Sequence, residues 1–316
     1  MSGPAGRVVL AGGSGFLGRA LASYLAAAGR EVVILSRTPR ASGSGVREVA
    51  WDARTCGAWT NELDGAAAVV NLTGRSVDCR YNAANRAAIL NSRVDSTRVV
   101  GEAIGRCARP PSVWLNASTA TVYRHTYDNA WDESGPREPA AEAKDAFSLE
   151  VATQWEAAVE QAVTPATRKV MLRTSMVLGL AANSVFPVLR RLVRLGLGGR
   201  MGNGRQYVSW IHERDYCRAV EWLLAQEDLA GPVNMTAPEP VPNAAMMRIL
   251  RSIYHMPIGL PASEWMLEVG AWVMRTETEL ILKSRRVVPG RLLASGFRFE
   301  FPTLKAAFQD LAAAAR

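Results

Sequence analysis

The stretch Ala11-Gly-Gly-Ser-Gly-Phe-Leu-Gly18 follows directly on the apolar run Val8–Leu10, and it restricts this chain more than any other part of it. Gly12 permits a tight turn, Gly15 leaves the backbone open to a pyrophosphate, and Gly18 lets the next helix pack closely on the strand. Unpaired N–H groups and the positive dipole end of that helix favour an anion at the same place. Apolar Leu17, Leu21, Tyr24 and Leu25 share one helical face until Gly29 ends it, so the turn stands in the strand–turn–helix setting it needs. The reading is a dinucleotide site in which Gly12, Gly13, Ser14, Gly15, Phe16, Leu17 and Gly18 surround the phosphates.

The rest of the chain extends that unit. Apolar runs at Glu31–Leu35, Ala67–Leu72, Val113–Asn116 and Lys169–Leu178 alternate with helical or loop stretches. Short buried strands alternating with helices make a parallel sheet covered on both faces, and right-handed crossovers make it doubly wound. The expected fold class is therefore α/β, a Rossmann sheet with a smaller, mainly helical C-terminal lobe. Residues 1–237 are assigned to the dinucleotide unit, with an excursion at 179–207 toward the substrate lobe, and 238–316 to that lobe.

Several finer expectations follow. Asp128–Glu150, with seven acids against two bases, reads as a solvated excursion, and Arg190–Arg205, with five arginines and a glycine-rich stretch, as a mobile loop near an anion. Thr276-Glu-Thr-Glu279 has the spacing of a capping box, opening a helix that must stop before Pro289-Gly290. Phe297, Phe299 and Phe301 alternate as in a short strand.

Composition narrows the partners. The 316 residues carry 37 Lys+Arg against 29 Asp+Glu, a net charge of +8 that suits nucleic acid, an anionic membrane or a small anion. The basic residues are not interleaved with an aromatic platform, so nucleic acid is not expected. No apolar run approaches the roughly 18 residues of a spanning helix, so no membrane partner is expected. Four scattered cysteines without a CxxC pair, and no secretory pattern at Met1–Leu10, lead to the expectation of reduced thiols and a cytoplasmic protein. A monomer or homodimer is expected, and the sequence leaves the choice between them open. The three histidines have no ligand spacing, so no metal is expected. Sequons at Asn71, Asn116 and Asn234 are read as chance.

Ser36-Arg37 ends the second strand, 24 residues after Gly12. An acid there would accept from a ribose 2′-hydroxyl and repel a 2′-phosphate. A hydroxyl and a guanidinium stand there instead, with Arg40 three residues on, and a guanidinium fork suits a phosphate. NADP(H) is preferred over NAD(H).

These residues, with Asn71-Leu-Thr-Gly74, Ser118-Thr-Ala-Thr-Val-Tyr123, Leu172-Arg-Thr-Ser-Met-Val177 and Trp210-Ile-His-Glu-Arg-Asp215, resemble the extended short-chain dehydrogenase/reductase superfamily. Cys79-Arg-Tyr81, Ser92-Arg93, Trp155-Glu156, Gly196-Leu-Gly-Gly199 and Thr276–Arg285 resemble more narrowly its sugar-epimerase-like subgroup with a distinctive C-terminal helical domain. The resemblance implies that Trp51 and Asp52 border the adenine. It also brings Leu72, Thr73, Gly74, Ala117, Ser118 and Val177 to the cofactor, and makes Thr119 the hydroxyl that orients the substrate oxygen. It implies a Tyr-x-x-x-Lys pair as well, but Ser148 and Ala152 occupy those positions. Neither does the ordinary job, since a serine hydroxyl gives up no proton near neutral pH and alanine carries no charge. Tyr123 matches a tyrosine that is not ordinarily the proton donor, and Tyr81 and Tyr127 lack a lysine four residues on.

The candidate catalytic set is thus Thr119, Ser148 and Arg93, with Arg80 and Arg173 adding charge around the nicotinamide end and an anionic small-molecule substrate. Two functions stay open. One is an NADP(H)-dependent oxidoreductase or epimerase with an atypical site, acting on a small polar or sugar-nucleotide substrate. The other is a catalytically weak NADP(H)-sensing protein that acts through a protein partner.

Overall fold

A computed structural model describes residues 6–40, 45–140, 145–268 and 279–315. Seven parallel strands form its central sheet: β1 (Val8–Ala11), β2 (Val32–Ser36), β3 (Val46–Ala50), β4 (Ala68–Asn71), β5 (Val113–Thr119), β6 (Arg168–Thr174) and β10 (Gly231–Met235). Their order, β3-β2-β1-β4-β5-β6-β10, reverses direction between β1 and β4. That reversal opens the crevice beyond the strand carboxyl ends where doubly wound sheets bind ligands. The expected fold class is the observed one.

Side-chain pattern explains the layers. Val8, Leu10, Val32 and Ile34 point to one face and pack under α1 (Phe16–Ala27) and α5 (Glu213–Ala225). Val9, Val33, Leu35 and Val69 point to the other, against α2 (Ala83–Gly105) and α3 (Ala146–Gln161). Strands buried on both faces need continuous apolar runs, and β1 is buried at all four positions. The expected strand Lys169–Leu178 is in fact two. β6 ends at Thr174, and β7 (Met176–Leu178) turns off to pair with β9 (Trp210–His212).

A second cluster holds the C-terminal lobe. In it α4 (Val185–Arg194), α6 (Asn243–Ile253) and α9 (Leu304–Ala314) close around Phe186, Trp210, Met247 and Phe308. Between α6 and α9 stand the short helices α7 (Glu279–Leu282) and α8 (Gly290–Ala294). A two-residue pairing of β8 (Tyr207–Val208) with β11 (Val241–Pro242) joins the two halves of this lobe.

Two local expectations are corrected. Arg190 to Arg194 lie in α4, whose apolar positions Phe186, Leu189 and Val193 anchor it, and do not belong to a loop. The glycine-rich stretch after it is pinned by backbone hydrogen bonds from Leu260 N to Gly196 O (2.8 Å), Gly199 N to Leu260 O (3.1 Å) and Gly202 N to Ala262 O (2.8 Å). The segment from Asp128 to Pro139 is mostly exposed, as expected of a solvated excursion, and is anchored at two points: Trp131 pairs with Val287, and Glu133 accepts from Asn234 N and Arg291 N. Phe297, Phe299 and Phe301 form no strand. Phe297 meets Phe299 and Trp222 edge-on, whereas Phe301 stacks on the His212 ring at 4.0 Å.

The helix begun by the expected capping box ends at Leu282, before Pro289, but Thr276 to Thr278 fall outside the described residues. His212 is buried and caps α5, its Nδ1 accepting from Arg214 N. Cys79 is half-buried.

Candidate functional site

A cleft of about 530 Å³ runs along the carboxyl edge of the sheet from the glycine turn to the start of α3. One end is built by the turn. Gly12 has φ +72°, and a Cβ there would fall 2.6 Å from Thr73 Oγ1 and 2.8 Å from Thr73 Cα. A Cβ on Gly18 would meet Gly13 Cα at 2.3 Å, so both positions require glycine on packing grounds. Gly15 differs, because a Cβ there meets nothing within 4 Å and the space above it is open. Thr73 Oγ1 is buried beside Gly12 without a hydrogen-bond partner. An open approach at Gly15 and an orphaned hydroxyl facing the turn fit a phosphate-bearing ligand.

Buried asparagines shape the rim. Asn71 closes β4 and Asn116 lies in β5. Asn71 Nδ2 donates to Asn116 Oδ1 (2.8 Å), and Asn71 Oδ1 accepts from Thr73 N (3.1 Å). The Trp155 indole donates to Thr97 Oγ1 (3.1 Å), tying α3 to α2 behind the same rim. Leu72 and Gly74 from the β4 loop, and Ala117, Ser118 and Thr119 from β5, all line the cleft. So do Gly12, Gly15, Phe16, Leu17, Gly18 and Val177. Gly13 is buried beneath the turn and Ser14 is exposed at its tip.

The remaining cofactor candidates stand beyond the cleft, past β2 and β3. Ser36 is buried, Arg37 and Arg40 are exposed, and Trp51 is buried edge-on against Trp59. Asp52 accepts from Thr55 Oγ1, Thr55 N and Arg54 N, and those bonds hold its carboxyl at about 2.

Arg173, expected near the nicotinamide, is not among the residues lining the cleft. It is buried beneath the cleft, with Nε and Nη2 donating to the two oxygens of Glu156 (2.9 Å each) and Nη1 donating to Tyr123 OH (2.8 Å). Burial opposes ionisation of Glu156, but Arg173, Ser118 and Arg137 outweigh it and hold the carboxyl below the usual glutamate range. Tyr123 in turn donates to Asn234 Oδ1 (2.7 Å), and burial pushes its hydroxyl up to about 12. A tyrosine so engaged moves no proton into the cleft.

The far end of the cleft gathers Arg93, Thr119, Thr121 and Ser148 against Val77, Tyr81, Phe147 and Trp155. Thr119 Oγ1 donates to Thr121 Oγ1 (3.0 Å) and accepts from Thr121 N. Arg93 Nη1 donates to the carbonyls of Arg75 and Ile89 (3.0 Å each), and its guanidinium lies over the Trp155 ring. Burial pulls it down to about 10, and no described carboxylate pairs with it. Ala152 packs in an apolar cluster with Val122 and Val287, which leaves no place for a cation at that position.

The C-terminal lobe brings its own charges here, a contribution the sequence reading missed. Lys283 Nζ pairs with Asp145 (2.6 Å) and donates to the Thr121 carbonyl (2.7 Å). Ser148 Oγ donates to Glu279 Oε2 (2.8 Å). The aromatic wall was missed too, since Tyr81, Phe147 and Trp155 carry no local signal beyond ordinary apolar spacing.

The profile of the NAD dependent epimerase/dehydratase family matches residues 8–235. The chain belongs to this family. A second profile, a domain of unknown function (DUF1731), matches 262–311 of this epimerase-family chain and coincides with the distinctive C-terminal region expected from the sequence. The bovine epimerase family protein SDR39U1 is 33% identical over 97% of this chain and all of its own length. The human SDR39U1 (isoform 2) structure, solved with NADPH, superposes with a TM-score of 0.84 at 29% identity, covering 97% of this chain and 99% of that one. A nucleoside-diphosphate sugar epimerase from Corynebacterium glutamicum gives 0.76 at 27% identity, covering 98% of this chain and 58% of that one. Among the described residues of the epimerase-family chain, no helix is long and apolar enough to cross a membrane, and no His/Cys/Asp/Glu group is placed to hold a metal ion.

Proposed function

We propose that this chain binds NADP(H) and performs oxidoreductase or epimerase chemistry on a small polar or sugar-nucleotide substrate. One observation carries the reading: a single cleft joins the glycine turn to Thr119 and Ser148. Arg37 stands exposed past β2, where an acid would favour NAD(H). Gly12 to Gly18 would hold the pyrophosphate, Arg37 and Arg40 the 2′-phosphate, and Trp51 with Asp52 the adenosine side. The solved human relative carries NADPH, which supports the same choice.

When bound, a nicotinamide supplies hydride transfer. The chain's own groups do the rest. Thr119 orients the substrate oxygen, Arg93 faces an anionic group without a carboxylate competitor, and Tyr81, Phe147 and Trp155 form an apolar wall that excludes water. The sensing alternative starts from the missing Tyr–Lys pair and predicts a cofactor-dependent change in Arg190–Arg205, a segment that is helix and pinned backbone. The unbridged thiols of Cys56, Cys79, Cys107 and Cys217 are in keeping with a cytoplasmic, reducing setting.

Paired fluorescence titrations with NADPH and NADH test the cofactor, followed by a screen of carbonyl compounds and sugar nucleotides. Preference for NADPH, with a turnover that Thr119→Ala removes, is the expected outcome. Absence of binding to either cofactor would overturn the reading.

A further inference from the structure

We propose that Ser148 and Glu279 form a proton relay that takes the place of the missing Tyr–Lys pair, Ser148 Oγ presenting the proton to the cleft and the Glu279 carboxyl resupplying it. This inference rests on the cleft being a nicotinamide-dependent site. Ser148 lines the cleft at the position where the family resemblance places a tyrosine. A serine alone is a poor acid, but a hydroxyl donates and accepts at once, so it can pass a proton on when a carboxyl stands behind it. Glu279 stands there, 2.8 Å from Oγ, delivered by α7 across 131 positions of sequence.

The surroundings of Glu279 favour a neutral carboxyl. The residue is only 8% exposed, and its second oxygen, Oε1, is buried without a hydrogen-bond partner. A buried oxygen without a partner costs more on an ionised carboxylate than on a neutral carboxyl. Four groups face it. Arg285, the Ser148 hydroxyl and Lys283 favour the charged form and Asp145 opposes it, but burial is the largest influence and holds the carboxyl above the usual glutamate range. Lys283 is already paired with Asp145 at 2.6 Å, so its charge is largely answered before it reaches Glu279.

The step balances without any further group. As hydride from a dihydronicotinamide reaches a substrate carbonyl carbon, the C=O π pair moves onto oxygen. With the Ser148 hydroxyl turned from Glu279 toward the substrate and the Glu279 carboxyl donating to Oγ, that oxygen takes the Ser148 proton and Oγ takes the proton of Glu279, leaving a carboxylate that solvent reprotonates. Alcohol oxidation runs the same transfers backwards. Thr119 holds the substrate oxygen in place throughout.

The test uses the full-length protein and needs no substrate. Calorimetric titrations with NADP+ and with NADPH, each in buffers of different ionisation enthalpy, count the protons released on binding. The positive ring of NADP+ favours the carboxylate, so wild type should release protons with NADP+ and not with NADPH. Glu279→Gln, which keeps the hydrogen bond to Ser148, should abolish the difference and leave NADPH affinity unchanged. Equal release by wild type and Glu279→Gln would overturn the relay while leaving the NADPH site standing; failure to bind either cofactor would remove both. Infrared spectra at pH 7 provide a second measurement. A protonated-carboxyl C=O band should be present in wild type, absent from Glu279→Gln and displaced in Ser148→Ala. A wild-type spectrum indistinguishable there from Glu279→Gln would also overturn the relay.

Discussion

Two glycines three positions apart should respond to alanine in opposite ways, and the contrast tests whether a phosphate crosses the turn. At Gly15 the backbone is extended (φ −78°, ψ −178°), a conformation alanine adopts freely, and the added methyl enters open space. Restricting the unfolded chain stabilises by about 0.4–1 kcal/mol, and alanine at a helix N-cap costs about as much, so the two effects nearly cancel. Gly15→Ala should therefore melt within about 4 °C of wild type, the shift that about 1 kcal/mol produces in a chain of this class. Its methyl would nonetheless occupy the path of the pyrophosphate. Losing one charge-assisted hydrogen bond costs about 1.5–3 kcal/mol, or roughly 10- to 150-fold in affinity for NADPH.

Gly18→Ala drives its methyl to 2.3 Å from Gly13 Cα and 2.5 Å from Gly13 O, against backbone that cannot step aside. Overpacking of this kind costs about 3 kcal/mol or more, so this variant should lose thermal stability before its affinity can be judged. Differential scanning fluorimetry with and without NADPH, beside fluorescence titration, separates the two outcomes. A Gly15→Ala protein that binds NADPH as wild type does would refute the assignment of the open space to a phosphate.

Three further outcomes are expected. Arg37→Asp should weaken NADPH binding by about 1–3 kcal/mol and leave NADH nearly unchanged, as read by parallel titration; equal losses would show that Arg37 does not read the 2′-phosphate. Glu156→Ala strands the buried Arg173 guanidinium and should cost about 3–5 kcal/mol in denaturant unfolding, whereas an unchanged midpoint would contradict the buried pairing. Because the native carboxyl of Glu156 titrates below its unfolded value, its contribution is complete above about pH 5 and is lost as pH falls through the native value, so acid unfolding should steepen there and flatten in Glu156→Gln.

Much of this was legible in the sequence because it is local. The glycine turn, the apolar strands and the serine at the tyrosine position are each set by neighbours a few residues apart. What escaped is non-local or depends on burial. Arg173 reads as an available cation until Glu156, Ser118 and Tyr123 close over it. The arginines of α4 suggested a loop because charge outweighed the spacing of Phe186, Leu189 and Val193. Alternation of Phe297, Phe299 and Phe301 mimicked a strand, although each ring answers to a different aromatic partner. Glu279 could not be matched to Ser148 without the fold that brings α7 over α3.

The backbone between Ser284 and Val288 runs like a thread between β8, the Trp131 segment and the end of β10. Arg285 N donates to Tyr207 O, Trp131 N to Arg286 O and Val288 N to Trp131 O, while Ser209 Oγ bonds both the Arg285 carbonyl and Val287 N. Asn234, at the end of the sheet, donates to the Val288 carbonyl. A cut before α6 would strip those partners from β8, from the Trp131 segment and from β10 together. The cofactor half should accordingly not survive as an autonomous fragment, and the amides at 285, 287 and 288 should exchange with solvent only when the whole molecule opens.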